Sequence, residues 1–297
     1  MLPVLALLFL AADNGRGEAD RLFASGRYDE AAGAYVRLLE ASPNDLGLLE
    51  RAGMSYLGQN RPTQAIPFFK RALAASPNDL DAARQLATAY SAINQYGEAE
   101  SVLAHVAQLD PADAVTWFRL GVLKYMKGSY PAAVADLDRS LKLGFAGRDS
   151  AQYENRAEVV RAVAHVEMGR QDEAAKELPA LMARPENAGD VTLRLSWVEL
   201  LYDAGRYQEA IQQVDLALAA HPENASGHFW RARILSQQQH VPEAIAEAEK
   251  ARDLSPESLG PHGFLVRLYQ KAGRAADAGR EAEWLRTHDT AAAEPPR

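Results

Sequence analysis

The sequence predicts an all-α solenoid of about eight antiparallel helix pairs. Three observations predict it: a single long repeat period, helical spacing of apolar residues within each period, and turn residues at fixed places. Pro43, Pro77 and Pro111 stand one period apart, as do Pro222 and Pro256, each within or just after a phrase such as LEASPNDL, LAASPNDL or LAAHPEN. A second marker, an alanine shortly after a turn former, falls at Ala31, Ala65, Ala99, Ala133, Ala174, Ala210, Ala244 and Ala278, in steps of 34, 34, 34, 41, 36, 34 and 34. Two independent markers with one period leave chance no role.

Each period reads as helix, turn, helix, short link. In the fourth, Trp117, Leu120, Gly121 and Leu123 recur at helical spacing; Gly128 interrupts, and Tyr130, Ala133, Val134, Leu137 and Leu141 resume it. Gly128 suits the left-handed residue that ends a helix without a Cβ penalty. Gly26, Gly169, Gly205 and Gly273 occupy the matching place, with Asn60 and Asn94 the next-best left-handed formers and Gln239 the departure. The marker alanines are small because the two helices of a pair cross closest there. Prolines end the second helix, and the following Asn-Asp or Glu-Asn caps the next first helix.

Composition agrees. Hydrophobic residues make up 47% of the 297-residue chain, ample for a core, and Ala- and Leu-rich runs dominate over β-branched clusters. The net charge of −8 has the wrong sign for neutralising phosphates, so no nucleic-acid partner is expected. Cysteine is absent, which removes disulfides, thiolate metal sites and thiol nucleophiles. The sequence contains no HExxH, phosphate-binding P-loop, dinucleotide fingerprint or nucleophile elbow, so neither catalysis nor a cofactor nor a metal is expected. His228 and His262 occupy the same position of successive repeats and read as packing analogues, and Asn224 of a glycosylation-like Asn-Ala-Ser reads as a helix cap.

The repeats resemble the tetratricopeptide repeat family, whose pattern runs large residue, Leu-Gly, Tyr, Gly-x-Tyr, Ala, aromatic, Ala, Pro. The fourth pair carries Trp117, Leu120, Gly121, Gly128, Tyr130 and Ala133; the second carries Ala52, Gly53, Tyr56, Ala65, Phe69, Ala72 and Pro77. The first supplies Gly26, Tyr28, Ala31, Tyr35 and Pro43, and the sixth Gly205, Tyr207, Ala210 and Pro222. The resemblance covers roughly residues 13–288 and implies a right-handed superhelix acting as a non-catalytic scaffold for a protein or peptide.

The expected organisation is an apolar leader over residues 1–12, four pairs over 13–147, an insertion or joint at 148–154, four pairs over 155–288, and a disordered tail at 289–297. The insertion follows from the step of 41; it either opens a joint between two halves of four pairs or lengthens the first helix of pair five. The run from Leu2 to Ala12 is too short to span a bilayer, so no integral membrane span is expected. It reads as an export signal, placing the protein outside the cytoplasm. The alternative is an apolar helix packed on the first pair of a cytoplasmic protein.

The resemblance further implies that positions 2, 5, 9, 12 and 13 of the first helices face the partner. Those positions nominate Met54, Leu57, Phe118, Val122, Tyr125, Met126, Val159, Val163, Leu195, Tyr202 and Phe229 as an apolar stretch, with Arg233, Arg267 and Lys271 as a basic end. A segment with apolar side chains and an acidic end is the expected partner, the alternatives being self-association through the ends of the stack or service as an accessory of a separate enzyme or of a secretion or assembly complex. The lysine and asparagine of the family's chaperone-tail clamp are not matched: Glu50 and Met54 stand there in pair two, and Arg84 and Thr88 in pair three.

Overall fold

A computed structural model describes residues 15–288; the apolar leader and the C-terminal tail lie outside the described residues. The described residues form sixteen α-helices and one 3-10 turn, with no strand. In pairs, these are α1 (15–24) with α2 (Tyr28–Ala41), α3 (Leu46–Gly58) with α4 (Pro62–Ala75), α5 (Leu80–Ala92) with α6 (Tyr96–Leu109), and α7 (Ala114–Met126) with α8 (Tyr130–Leu143). They continue as α9 (Ser150–Glu167) with α10 (Gln171–Met182), α11 (Val191–Asp203) with α12 (Tyr207–Ala220), α13 (Ala225–Gln237) with α14 (Val241–Leu254), and α15 (Leu259–Lys271) with α16 (Ala275–His288). This is an all-α solenoid of eight helix pairs.

The chain forms two compact units, one ending at Arg161 and the other beginning at Ala162. In the N-terminal unit each helix from α2 to α8 packs on its neighbours in sequence, and the same serial packing runs from α10 to α16 in the C-terminal unit. No helix buries its apolar face alone. Phe69, Leu86, Leu103 and Leu120, from four successive helices, share one core cluster; Leu201, Val214 and Ile234 do the same between α11 and α13.

The local chemistry matches the pattern in the chain. Asp45, Asp79, Asp113, Asp190 and Asn224 each accept a backbone N–H in the first turn of the following helix, at 2.7–3.1 Å. The within-pair turns all pass through the left-handed region, including Asn60 (φ 57°), Asn94 (φ 60°) and the non-conforming Gln239 (φ 65°). The eight marker alanines are all buried. His228 and His262 do repeat one packing device. Nδ1 of each lies 2.5–2.6 Å from a carboxylate of the second helix (Glu247, Glu281), and Nε2 lies 2.9–3.0 Å from the Pro222 or Pro256 carbonyl.

Most of the inserted stretch at 148–154, expected either to open a joint or to lengthen the first helix of pair five, is helix. The extra residues lengthen α9 to 18 residues, against 13 in α7, leaving only 144–149 as a turn. The segment SAQYENRAE favours helix, and Tyr153 pins it, stacking on Phe145 at 5.6 Å and meeting Phe118 edge-on at 5.6 Å. The compact units therefore part inside α9, not in the inserted loop. The two residues added before α11 are absorbed by the 3-10 turn Pro185–Asn187, where buried Asn187 donates to the Leu181 carbonyl at 2.9 Å.

At the far end, α16 carries a different surface from α14. Val241, Ile245 and Ala248 pack in the core around α14, whereas their equivalents in the next pair, Ala275, Gly279 and Ala282, are small and exposed. Beside them Glu283 and Arg286 form an exposed ion pair.

Candidate partner-binding surface

The first helices of the C-terminal unit place their sixth, ninth and neighbouring positions in register, because the last three pairs repeat with a constant period. Tyr202 on α11, Phe229, Arg233 and Gln237 on α13, and Leu259, Gly260, Gly263, Phe264 and Arg267 on α15 line one cleft of about 570 Å³. That volume is within the range of ligand sites. Its floor is open because Gly263 has no atom within 4 Å of where a Cβ would sit, and a Cβ on Gly260 would only touch the Phe229 ring at 3.6 Å.

Aromatic contacts fix the walls. Phe229 and Phe264 meet edge to face with centroids 5.7 Å apart, and Tyr202 meets Trp230 in the same manner at 5.5 Å. Gln237 donates to the Tyr202 hydroxyl at 2.8 Å, orienting the ring. The Arg233 guanidinium lies 4.1 Å from the Trp230 centroid and 4.6 Å from that of Tyr202, and Arg267 lies 5.5 Å from that of Phe264. Neither arginine makes an ion pair among the described residues. A guanidinium resting its face on a ring keeps its N–H edge free for an incoming carboxylate. Lys271, exposed beyond them, donates to Gln239 at 2.7 Å. On α11, burial pushes the Glu199 carboxyl upward, Glu167 and Asp203 add to the rise, and Arg233 opposes it.

Of the residues nominated from sequence, the cleft brings together Tyr202, Phe229, Arg233 and Arg267. Val163 and Leu195 are buried and belong to the core, not to a surface. In the N-terminal unit, Met54, Leu57, Val122 and Tyr125 are half-buried and Met126 is 52% exposed. Phe118 is only 5% exposed, because Phe145 and Tyr153 of the inserted stretch cover its ring. It is a core residue and offers no anchor to a partner. Val122 packs in that cluster as well, and Val159, on α9, is half-buried. A smaller hollow of about 260 Å³ is lined by Glu50, Arg51, Met54, Asp81 and Gln85. Phe264, Gln237 and Trp230 escape the sequence reading. Phe264 and Trp230 share one repeat position, directly after a nominated one, and that aromatic pairing is the signal that could have found them.

Models described as tetratricopeptide repeat match residues 16–79 and 195–258, 56–117, and 114–225. The chain belongs to the tetratricopeptide repeat family. Among solved structures, a tetratricopeptide repeat protein from Parabacteroides merdae is 16% identical with a TM-score of 0.65, covering 88% of this chain and 99% of its own. PilF of Pseudomonas aeruginosa is 21% identical at a TM-score of 0.57, covering 81% and 99%, and the MamA protein is 22% identical at 0.53, covering 59% and 92%. These likenesses concern the fold. No curated protein matches this chain significantly. Tetratricopeptide repeats mark a scaffold for protein–protein interaction, and no helix among the described residues is long and apolar enough to cross a membrane.

Proposed function

We propose that this protein is a non-catalytic scaffold that holds a segment of a partner protein in the cleft formed by α11, α13 and α15. The observation that carries this reading is the set of aromatic rings and unpaired arginines around one open volume, Tyr202, Phe229, Phe264, Arg233 and Arg267. Aromatic and arginine side chains supply most of the binding energy at protein interfaces. A soluble protein rarely groups them on an open surface unless a partner covers them. Affinity capture from native extract with the wild-type chain and with a Tyr202→Ala/Phe229→Ala variant tests it: the variant is expected to lose the captured protein while keeping its helical spectrum. Equal capture by both would reject the cleft as the binding surface. The apolar run Leu2–Ala12 supports export as the setting, which N-terminal sequencing of the mature protein checks.

A further inference from the structure

Two rows of equivalent positions cross the first helices of the C-terminal unit, one residue from each successive pair. One reads Glu199, Arg233, Arg267; the other reads Asp203, Gln237, Lys271. Both begin acidic on α11 and end basic on α15, in a chain whose net charge is −8. The basic end is therefore not a by-product of composition. At the acidic end, burial disfavours the Glu199 carboxylate, the charges of Glu167 and Asp203 add to that cost, and Arg233 offsets only part of it. A further cation placed there would relieve the remainder. At the other end, Arg233 and Arg267 already rest on aromatic faces, with rotamers restricted before any ligand arrives. Such arginines bind carboxylates through paired N–H donors.

We propose that the cleft selects a charge-polar segment, with carboxylates over Arg233 and Arg267 and a lysine or arginine at the α11 end over Glu199 and Asp203. The proposal rests on the cleft being the partner surface and adds the chemistry that the surface selects. Neighbouring helices lie about 10 Å apart, and an extended chain advances about 3.3 Å per residue. The two carboxylates thus stand about three residues apart, with the cation about three residues from the nearer one. Apolar residues between them fill the space over Gly263 and against Phe229 and Phe264.

The test uses the full chain and a display library of random dodecamer peptides. Enriched peptides are expected to carry that order of charges at that spacing. A synthetic peptide of this pattern should bind Arg267→Glu at least tenfold more weakly than wild type, and changing its facing glutamate to lysine should restore binding to that variant. Arg267 is exposed, so the substitution leaves the fold intact. Enriched peptides without charge order, bound equally by wild type and Arg267→Glu but lost with Tyr202→Ala/Phe229→Ala, would overturn the charge-polar proposal and leave the cleft standing. No enrichment, or binding untouched by Tyr202→Ala/Phe229→Ala, would overturn both.

Discussion

A Cβ placed on Gly53 would lie 2.6 Å from Cζ of Phe69, so α3 crosses α4 with the ring seated directly on glycine backbone. Gly121 bears the same relation to Leu137, where the distance is also 2.6 Å. In pair three the same two positions hold Ala87 and Leu103, a larger residue facing a smaller one. Gly53→Ala is expected to cost about 1–3 kcal/mol through overpacking. Adding Phe69→Leu should recover part of that loss by recreating the Ala/Leu combination, so the two effects should be non-additive in urea titrations. Strict additivity would show that the crossing is not limited by this contact.

Gln239 holds φ 65° at a turn where other pairs use glycine or asparagine. A side chain with a Cβ is strained there by about 1–2 kcal/mol. Gln239→Gly is expected to stabilise the C-terminal unit by about 0.5–1 kcal/mol, the gain being reduced by glycine's freedom in the unfolded chain. Thermal unfolding would check it, and a lowered midpoint would contradict it.

The Glu50 carboxyl is pushed up to about 7 by burial, followed by its hydrogen bond to Asp79 and the charge of that group. Its folded form keeps a proton that the unfolded chain releases near 4.5, so its contribution is fully present below about 4.5 and fades as pH rises through about 7. Allowing for solvent screening, the effect is about 1 kcal/mol. Glu50→Gln should flatten this dependence and raise the midpoint of the N-terminal unit at pH 8. Asp113 works in the opposite sense. Burial raises its carboxyl, but hydrogen bonds from Thr116, Arg84 and the Val115 backbone, with the Arg84 charge, leave it lowered. Its contribution is present above the ordinary carboxylate range and is lost as pH falls. Glu50→Gln should therefore leave acid unfolding unchanged.

Phe118→Ala is expected to destabilise the N-terminal unit by about 3–5 kcal/mol, because its ring is packed between Phe145 and Tyr153. Phe229→Ala removes a half-buried ring at the cleft and should weaken peptide binding with a smaller stability cost. Denaturation of both variants alongside peptide titration separates a core residue from a contact residue.

The pairs are legible in the sequence because each carries several signals that agree: the buried alanines, the left-handed turn residues and the Asp or Asn caps all recur at one period. Periodicity fixes which positions of a helix are equivalent. It does not fix what covers them. Phe118 and Leu195 hold the same repeat position as Phe229, yet only Phe229 borders open volume. Phe118 is covered by an inserted stretch unique to one pair, and a repeat pattern carries no information about such a stretch. The spacing leaves open a joint or a longer helix at the insertion, and helix propensity in SAQYENRAE carries α9 through that boundary.

The surface of α16 differs from that of α14 in what it offers a neighbour. Another hairpin docking beyond it, whether from this chain's kind or from a second copy, would meet Ala275, Gly279 and Ala282 in place of the branched side chains that α14 offers, and would have to dehydrate the Glu283–Arg286 pair. Stacking there gains little hydrophobic area and incurs the desolvation of two charges. Compared with α14, this face of α16 offers a docking neighbour less apolar area per turn, because small side chains stand where α14 carries branched ones.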